Sequence, residues 1–372
     1  PVLNQKVSNE FNLTLALGFP PIVNFLFKYL FLFIIIKKIN EVKIAQNLNL
    51  EKKNINFVSY VITAFNKREY INKVISALCC EGGSHKREYI IVDDGSKDST
   101  SLIFKNLAKK LPGNIRILRR KNMGASFSTN EAVKVAKGYW IRLLDGDDLV
   151  TYKSTHEMLY LARANKVSFV YGLISKHNIK QFNEVYNFIY QSKKQGLEKF
   201  IKSCPANSSA ILVSKERYYR SGGCNESFVS PDQVLFLRLF SVGSAVFINK
   251  VVAKLPSVQS SGRLSSQIRR SRFESILALI NLCHENKKLD KKLRIKAFKR
   301  ALSRANTYNK FFTKTTISYH FIVYLLSKLI FPKNYIELMY KSLKVFTADA
   351  INRPKEWKTG SDKSAVSKKY IR

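Results

Sequence analysis

The chain has 372 residues, 45% of them hydrophobic, which is enough to bury a full core, and a formal net charge of +38 at pH 7. Such a charge favours anionic partners: nucleic acid, acidic lipid or phosphorylated substrates. Five cysteines (Cys79, Cys80, Cys204, Cys224, Cys283) show no CxxC or Cys/His zinc spacing, so we expect reduced, mostly buried thiols in a cytosolic setting and no zinc module.

Residues 11–36 form an apolar segment interrupted by Pro20, Pro21, Asn24 and Lys28, with Lys37, Lys38 and Lys43 behind it. The clean run from Ile22 falls short of the about 20 residues a spanning helix needs. Three readings stand: a kinked or tilted membrane segment, an interfacial helix, or a segment that is not native structure. Almost no basic residues precede the run, which argues against a cleaved signal peptide. The lysines behind it would hold the rest of the chain on the cytoplasmic side. Polar "NLNLEKKN" (47–54) reads as a linker.

A strand–helix repeat follows. "INFVSYVITA" predicts a strand, with Asn66 as the cap of a helix whose Ile71, Val74, Ile75 and Leu78 share one face. "EYIIV" predicts a second strand, and Asp98 is expected to cap a helix carrying Leu102, Ile103, Leu107 and Leu111. "NIRILR" is a third strand, residues 126–137 a third helix, and "YWIRLL" a fourth strand. This alternation predicts an α/β fold, with a mostly parallel sheet and helices on both faces. Ligands of such sheets bind at the carboxyl ends of the strands. Beyond 151 the pattern loosens into a helix over 152–164 and a strand at "VSFVYG". From 266 onward it predicts helix after helix in a segment where Lys and Arg far outnumber acids, ending in a disordered "KTGSDKSAVSKKYIR". The expected division is 1–53, 54–265 and 266–372.

In so basic a chain, clustered acids stand out. "DGDD" closes the fourth strand with Asp145, Asp147 and Asp148. Carboxylates crowded at a strand end repel unless a cation or hydrogen-bond donors compensate. A hard divalent ion with oxygen ligands suits them, and Gly146 lets the turn be tight. The plainer reading is an acidic turn in which Asp148 caps the next helix. "VDDGSKDST" puts Asp93 and Asp94 at another strand end, where they can accept from a base N–H or a ribose hydroxyl, or merely form a turn. Asp232 follows Pro231 at the start of an amphipathic helix with Leu235, Leu239 and Phe240. It can be a helix cap, or a general base facing the crevice.

In this order, "VITAFNKREYINKVISAL", "IIVDDGSKDST", "NMGASFSTNEAVKVAKGYWIRLLDGDD" and "RSGGCNESFVSPDQVLFLRL" resemble the inverting family 2 glycosyltransferases, which have the GT-A fold. The resemblance runs from about Asn54 to Ser265. It implies that Thr63, Ala64 and Asn66 lie near the nucleotide and that Asp93 and Asp94 contact its base or ribose. It further implies that Asp145 and Asp147 hold Mn²⁺ or Mg²⁺ against the diphosphate, with Asp145 also on the nucleotide side, and that Asp232 is the catalytic base. Two departures are visible: Pro231 stands where the family usually has Glu, and Cys224-Asn225 where Phe-Asp is usual. The implied donor is a nucleotide sugar, a UDP-sugar first. The implied acceptor is a saccharide or lipid-linked hydroxyl in cell-envelope synthesis, reached from the inner face of the membrane by a peripheral or N-terminally anchored enzyme.

The rivals fare worse. A sugar nucleotidyltransferase needs a Gly-rich phosphate loop after the first strand, where this chain has "TAFNKREY". A processive polysaccharide synthase carries Q-x-x-R-W, whereas "QIRRS" ends in Ser. No nucleic-acid partner is expected, for no zinc spacing, RNP-like strand or helix-turn-helix signal supports one. The loops around "CPANSSAI" and "GGCNES" belong on the acceptor side, and the five histidines carry no metal spacing. The basic helical tail is expected either to be a solvated surface or to dock on anionic membrane.

Overall fold

A computed structural model describes residues 55–176, 187–256, 268–314 and 317–347, all in one compact unit that starts at Asn54. The apolar N-terminal segment, its linker and the C-terminal end lie outside the described residues.

The first half of the fold follows from apolar runs alternating with periodic helices. Strand β1 (Phe57–Ala64) is buried along nearly its whole length, as the central strand of a sheet must be. Helix α1 (Arg68–Cys79) turns Ile71, Val74, Ile75 and Leu78 into the core. Strand β2 (Lys86–Asp93), helix α2 (Thr100–Leu107), strand β3 (Asn114–Arg119), helix α3 (Ala125–Val135) and strand β4 (Trp140–Asp145) complete this half. The four strands are parallel in the order β3-β2-β1-β4.

Two local expectations fail here. Asn66 is not a helix cap: its φ is +53°, and its Oδ1 accepts from Lys97 N at 2.9 Å instead. Lys67 takes the cap position with no side-chain bond. Left-handed geometry thus sends the Asn66 side chain to the loop after β2 rather than onto its own helix. In α2 the buried face carries Thr100, Ser101 and Phe104, while Leu102 is exposed. The chain tightens into a 3₁₀ turn at Ala108–Lys110, so no single face holds Leu102 and Leu111 together. Asp98 does bond the first turn of α2, accepting from Thr100 N at 3.0 Å.

The second half extends the sheet in mixed directions. It comprises β5 (Leu149–Val150), α4 (Ser154–Ala164), β6 (Phe169–Lys176), β7 (Phe188–Gln191), α5 (Lys193–Lys202), β8 (Ile211–Ser214), α6 (Lys215–Arg220), α7 (Asp232–Ser241) and β9 (Ala245–Leu255). The sheet continues β4-β8-β6-β9-β5, and β7 pairs with β9. Strand β8 runs antiparallel to both neighbours, and β6 parallel to β9. An aromatic cluster fills the space beneath: Phe200 stacks on Phe236 with ring centres 4.2 Å apart, and Phe169, Tyr171 and Phe240 surround them. Gly196 is required there, because a Cβ would lie 1.9 Å from the Phe240 ring.

Helices α8 (Ile268–Glu285), α9 (Lys291–Thr313), α10 (Tyr319–Leu329) and α11 (Tyr335–Ser342) follow. They are tied into the second half of the sheet domain. Glu274 of α8 accepts from Val229 N at 2.7 Å and Ser230 N at 2.8 Å, and Arg304 of α9 donates to Gln233 Oε1 of α7 at 3.3 Å. No helix among the described residues is long and apolar enough to cross a membrane. Cys204, Cys224 and Cys283 are buried or half-buried, but Cys79 and Cys80 are exposed, and all five are free thiols. One histidine has a structural task. His85 Nε2 lies 2.8 Å from the buried Tyr60 hydroxyl, which also donates to Glu81.

Candidate active site

Register brings the acids together. Ala64 at the end of β1 is level with Asp93 on one side, and Thr63 is level with Asp145 on the other. The two loops that leave β1 and β2 are laced to each other. Asn66 N donates to Ser96 Oγ at 2.9 Å and Lys67 N to Thr100 Oγ1 at 2.8 Å. The expected nucleotide-side residues Thr63, Ala64, Asn66, Asp93 and Asp94 therefore share one edge of the sheet. Asp93 is fully buried. Its Oδ1 accepts from Ser96 N at 2.9 Å, while Oδ2 has no hydrogen-bond donor among the described residues and lies 3.4 Å from Arg119 Nε. Asp94 accepts from Met123 N at 2.9 Å and Gly124 N at 2.8 Å, with Arg120 Nη2 at 3.4 Å. Its carboxylate thus orders the loop that leads into α3.

The D-G-D-D turn folds back over β1. Gly146 N donates to Thr63 O at 2.8 Å and Asp148 N to Asp145 O at 3.0 Å. A side chain at Gly146 would meet Ala64 Cβ at 2.6 Å and Thr63 O at 3.0 Å, so this close approach needs glycine. Asp148 is not a cap for α4, whose N-cap position is Lys153. It accepts from Asn207 Nδ2 at 3.1 Å instead, because the turn points it back toward the sheet.

Asn207, Ser208 and Ser209 are the junction of the site. Ser208 N donates to Asp232 Oδ1 at 2.8 Å, and Ser209 Oγ accepts from Asp145 N at 2.9 Å. With the bond from Asn207 to Asp148, one polar triplet touches Asp145, Asp148 and Asp232, while Asp147 is held by Lys67. Arg142, fully buried on β4, supports it from below by donating to Ser209 O, Ile211 O and Val252 O. Asp232 opens α7 with Pro231 at the N-cap position, so the helix starts where expected although the usual Glu is absent. The second departure, Cys224-Asn225, sits in a loop pinned to α3. Asn130 Oδ1 accepts from Cys224 N at 3.1 Å, and its Nδ2 donates to Glu226 at 2.9 Å.

The electrostatics record the crowding. The Asp145 carboxyl is pushed well above the usual carboxylate range, first by burial and then by Asp148, Asp232 and Asp147, with Lys67 opposing. Burial also raises Asp232, with Glu274 adding and the bonds from Ser208 opposing. Burial raises Asp94 against the bonds from Met123 and Gly124. Lys67 Nζ lies 2.6 Å from Asp147 Oδ2.

The donor set fits a hard divalent ion: oxygen ligands only, and a surplus of negative charge in one tight turn. No three His, Cys, Asp or Glu side chains among the described residues form a complete metal cage. An ion here would need substrate oxygens to finish its coordination, as Mg²⁺ commonly does. Sequence reasoning singled out Asp145, Asp147 and Asp232, which the structure brings near one another, but not Lys67, the bridging bonds of Asn207–Ser209, or Glu274. A polar triplet directly before the apolar run "AILV" was the available signal for the second.

Comparisons with known proteins bear on the family and the fold. Residues 59–237 match the family model "Glycosyl transferase family 2". The Bacillus subtilis "Minor teichoic acid biosynthesis protein GgaB" is 28% identical over 141 residues, covering 35% of this chain and 16% of that protein. The Escherichia coli "Chondroitin synthase" is 26% identical over 204 residues, covering 54% of this chain and 29% of that protein. This chain thus spans less than a third of either curated relative. The crystal structure of S. aureus TarS 1-349 in complex with UDP-GlcNAc superposes with a TM-score of 0.54 at 16% identity, covering 79% of this chain and 83% of that one. At that identity the likeness shows a shared fold.

Proposed function

We propose, from the premise that residues 59–237 place this chain in glycosyltransferase family 2, that it moves a sugar from a nucleoside diphosphate donor to an acceptor hydroxyl with inversion. One observation carries the reading: the triplet Asn207–Ser209 bonds Asp148, Asp145 and Asp232 together at the carboxyl ends of β1 and β4.

The chemistry assigns roles. An acceptor hydroxyl must lose its proton as it attacks, and Asp232, fixed through Oδ1 by Ser208 N, keeps a second oxygen to take it. Asp93 and Asp94, with Thr63, Ala64 and Asn66, form the nucleotide side of the crevice. Asp145 and Asp147 would hold Mn²⁺ or Mg²⁺, which supplies positive charge to the departing diphosphate without proton transfer. A UDP-sugar donor and a saccharide or lipid-linked acceptor of the cell envelope are supported by the teichoic acid and chondroitin relatives and by the UDP-GlcNAc in the TarS complex. Work at the inner face of the membrane belongs to the same reading, and its support is the lysines at 37, 38 and 43 behind the apolar segment.

Lys67 favours a second reading. Its ammonium already neutralises Asp147 at 2.6 Å, and it is a cation of the right kind to meet a phosphate oxygen directly. In that case turnover would survive chelation and fall in Lys67→Met. A screen of nucleotide sugars for hydrolysis, with Mn²⁺ or with chelator, tests the proposal and separates the two readings. Absence of turnover with every donor would refute both.

A further inference from the structure

Helix α10 has two apolar sides and uses one. Val323, Tyr324 and Ser327 face inward against α9 and its surroundings, with Ser327 buried and the other two packed on the core. Ile322, Leu325, Leu326 and Leu329 recur at the spacing that normally marks a buried stripe. All four are exposed, from 41% at Leu325 to 85% at Leu329. Tyr319, Ile317 and Phe311 extend the patch at one end and Ile330 at the other, all more than half exposed. A contiguous run of large apolar side chains in water marks an interaction surface.

Cations gather around the carboxyl-terminal part of this helix. A cavity of about 690 Å³ between α5, α9 and α10 is lined by Lys199, Lys202, Lys296, Lys299, Arg300 and Lys328, with Glu198 as its one acid. Just past the same, carboxyl-terminal end of α10, a cavity of about 460 Å³ is lined in part by Lys291, Arg294 and Lys333. Lys299 Nζ donates to Lys328 O at 3.1 Å, which fixes the end of α10 beside the first cavity. An eleven-residue helix is far too short to span a bilayer, but it is long enough to lie in its surface.

We propose that α10 is an interfacial anchor for an anionic bilayer. Ile322, Leu325, Leu326 and Leu329 enter the acyl boundary, while the Lys299–Arg300 cavity and the Lys291–Lys333 cavity receive lipid phosphates. Charge selects this occupant over a second copy of the chain. A self-complementary contact would press basic cavity against basic cavity, whereas an anionic surface complements both. The surface is also connected to the chemistry. Lys202 lines the cavity at the end of α5, and the chain runs from there directly into Asn207–Ser209. The inference does not depend on which sugar is moved.

The test uses the full chain, with vesicles of neutral phosphatidylcholine or of phosphatidylcholine containing a third phosphatidylglycerol. Wild type is expected to partition preferentially onto the anionic vesicles. Leu325→Ser/Leu329→Ser should lower that partition at least about tenfold. Lys299→Glu/Arg300→Glu should lower it by about twenty-five-fold, from about fivefold per cation lost. Vesicles should slow hydrogen exchange within 319–330, a readout that other membrane-binding segments do not mimic. Leu329→Ser alone, at the most exposed position, serves if the double variant fails to fold. Variants that bind like wild type, or unchanged exchange across 319–330, would overturn the proposal. So would lipid-free dimers that the same substitutions dissolve, since these would assign the face to a second copy.

Discussion

Replacing Asp232 by Asn separates proton acceptance from everything else that this side chain does. The amide keeps the shape of the carboxylate, and its Oδ1 can still accept from Ser208 N, now 2.8 Å away. The loop before α7 remains held by Glu274. What is lost is the base, which should cost about 10²–10⁴ in kcat, or roughly 3–5 kcal/mol at 1.4 kcal/mol per tenfold. Donor affinity should stay within about threefold of wild type, because no nucleotide-side residue changes. Two further readouts follow from burial. The folded-state carboxyl of Asp232 lies above its ordinary value of 3.8, so its stabilising contribution is present at low pH and is lost as pH rises through the folded value. At pH 7 the charge is a burden, and Asn should leave Tm unchanged or raise it. The wild-type rate should also fall on acidification at a pH above 3.8, and that limb should vanish in the variant. Initial rates across pH, donor titration and thermal melts check all of this. A kcat loss under about threefold, or an acid limb that survives in Asp232→Asn, would refute the role.

Other consequences can be measured separately. Glu274→Ala leaves Val229 N and Ser230 N without their acceptor and breaks the buried ion pair with Arg270, so denaturant unfolding should show a loss of about 3–5 kcal/mol. Gly146→Ala forces a Cβ to within 2.6 Å of Ala64. It should cost about 1–3 kcal/mol and weaken nucleotide binding together with turnover. His85 is held neutral by burial, with a folded value of about 3 against 6.5 unfolded. Its contribution is therefore complete above pH 6.5 and declines by at most about 1.4 kcal/mol per pH unit as pH falls toward 3. His85→Gln should flatten that part of the stability profile, as urea melts at several pH values would show.

The parallel half of the fold was legible because each strand is an unbroken apolar run that stops at an acid or a turn residue, and because α1 repeats its apolar residues on one face. The second half was harder. Strand β8 is only four residues long. Strand β9 carries Asn249 and Lys250 in its middle, and its pairing with β6 slips in register at Gly172 and Leu173. Neither leaves a period to read. In α2 two apolar faces competed, and Phe104 rather than Leu102 filled the core. At the site, Asp145, Asp147 and Asp232 stood out because acids are scarce in a chain of charge +38. Lys67 did not, since one lysine among many carries no signal of a partner 80 residues away. Glu274 was hidden for the same reason: its task is to bond backbone in a loop before Asp232, and backbone acceptance leaves no pattern in side-chain identities.

The account rests most heavily on the acids at the end of β4 gripping a divalent ion against a diphosphate. Calorimetric titration of UDP, with saturating Mn²⁺ and with chelator, into wild type and Asp147→Ala tests it directly. Wild type should bind at least about tenfold more tightly with the ion, and the variant should bind equally weakly with and without it. Wild-type affinity that ignores Mn²⁺, or a variant that keeps the full gain, would contradict the account.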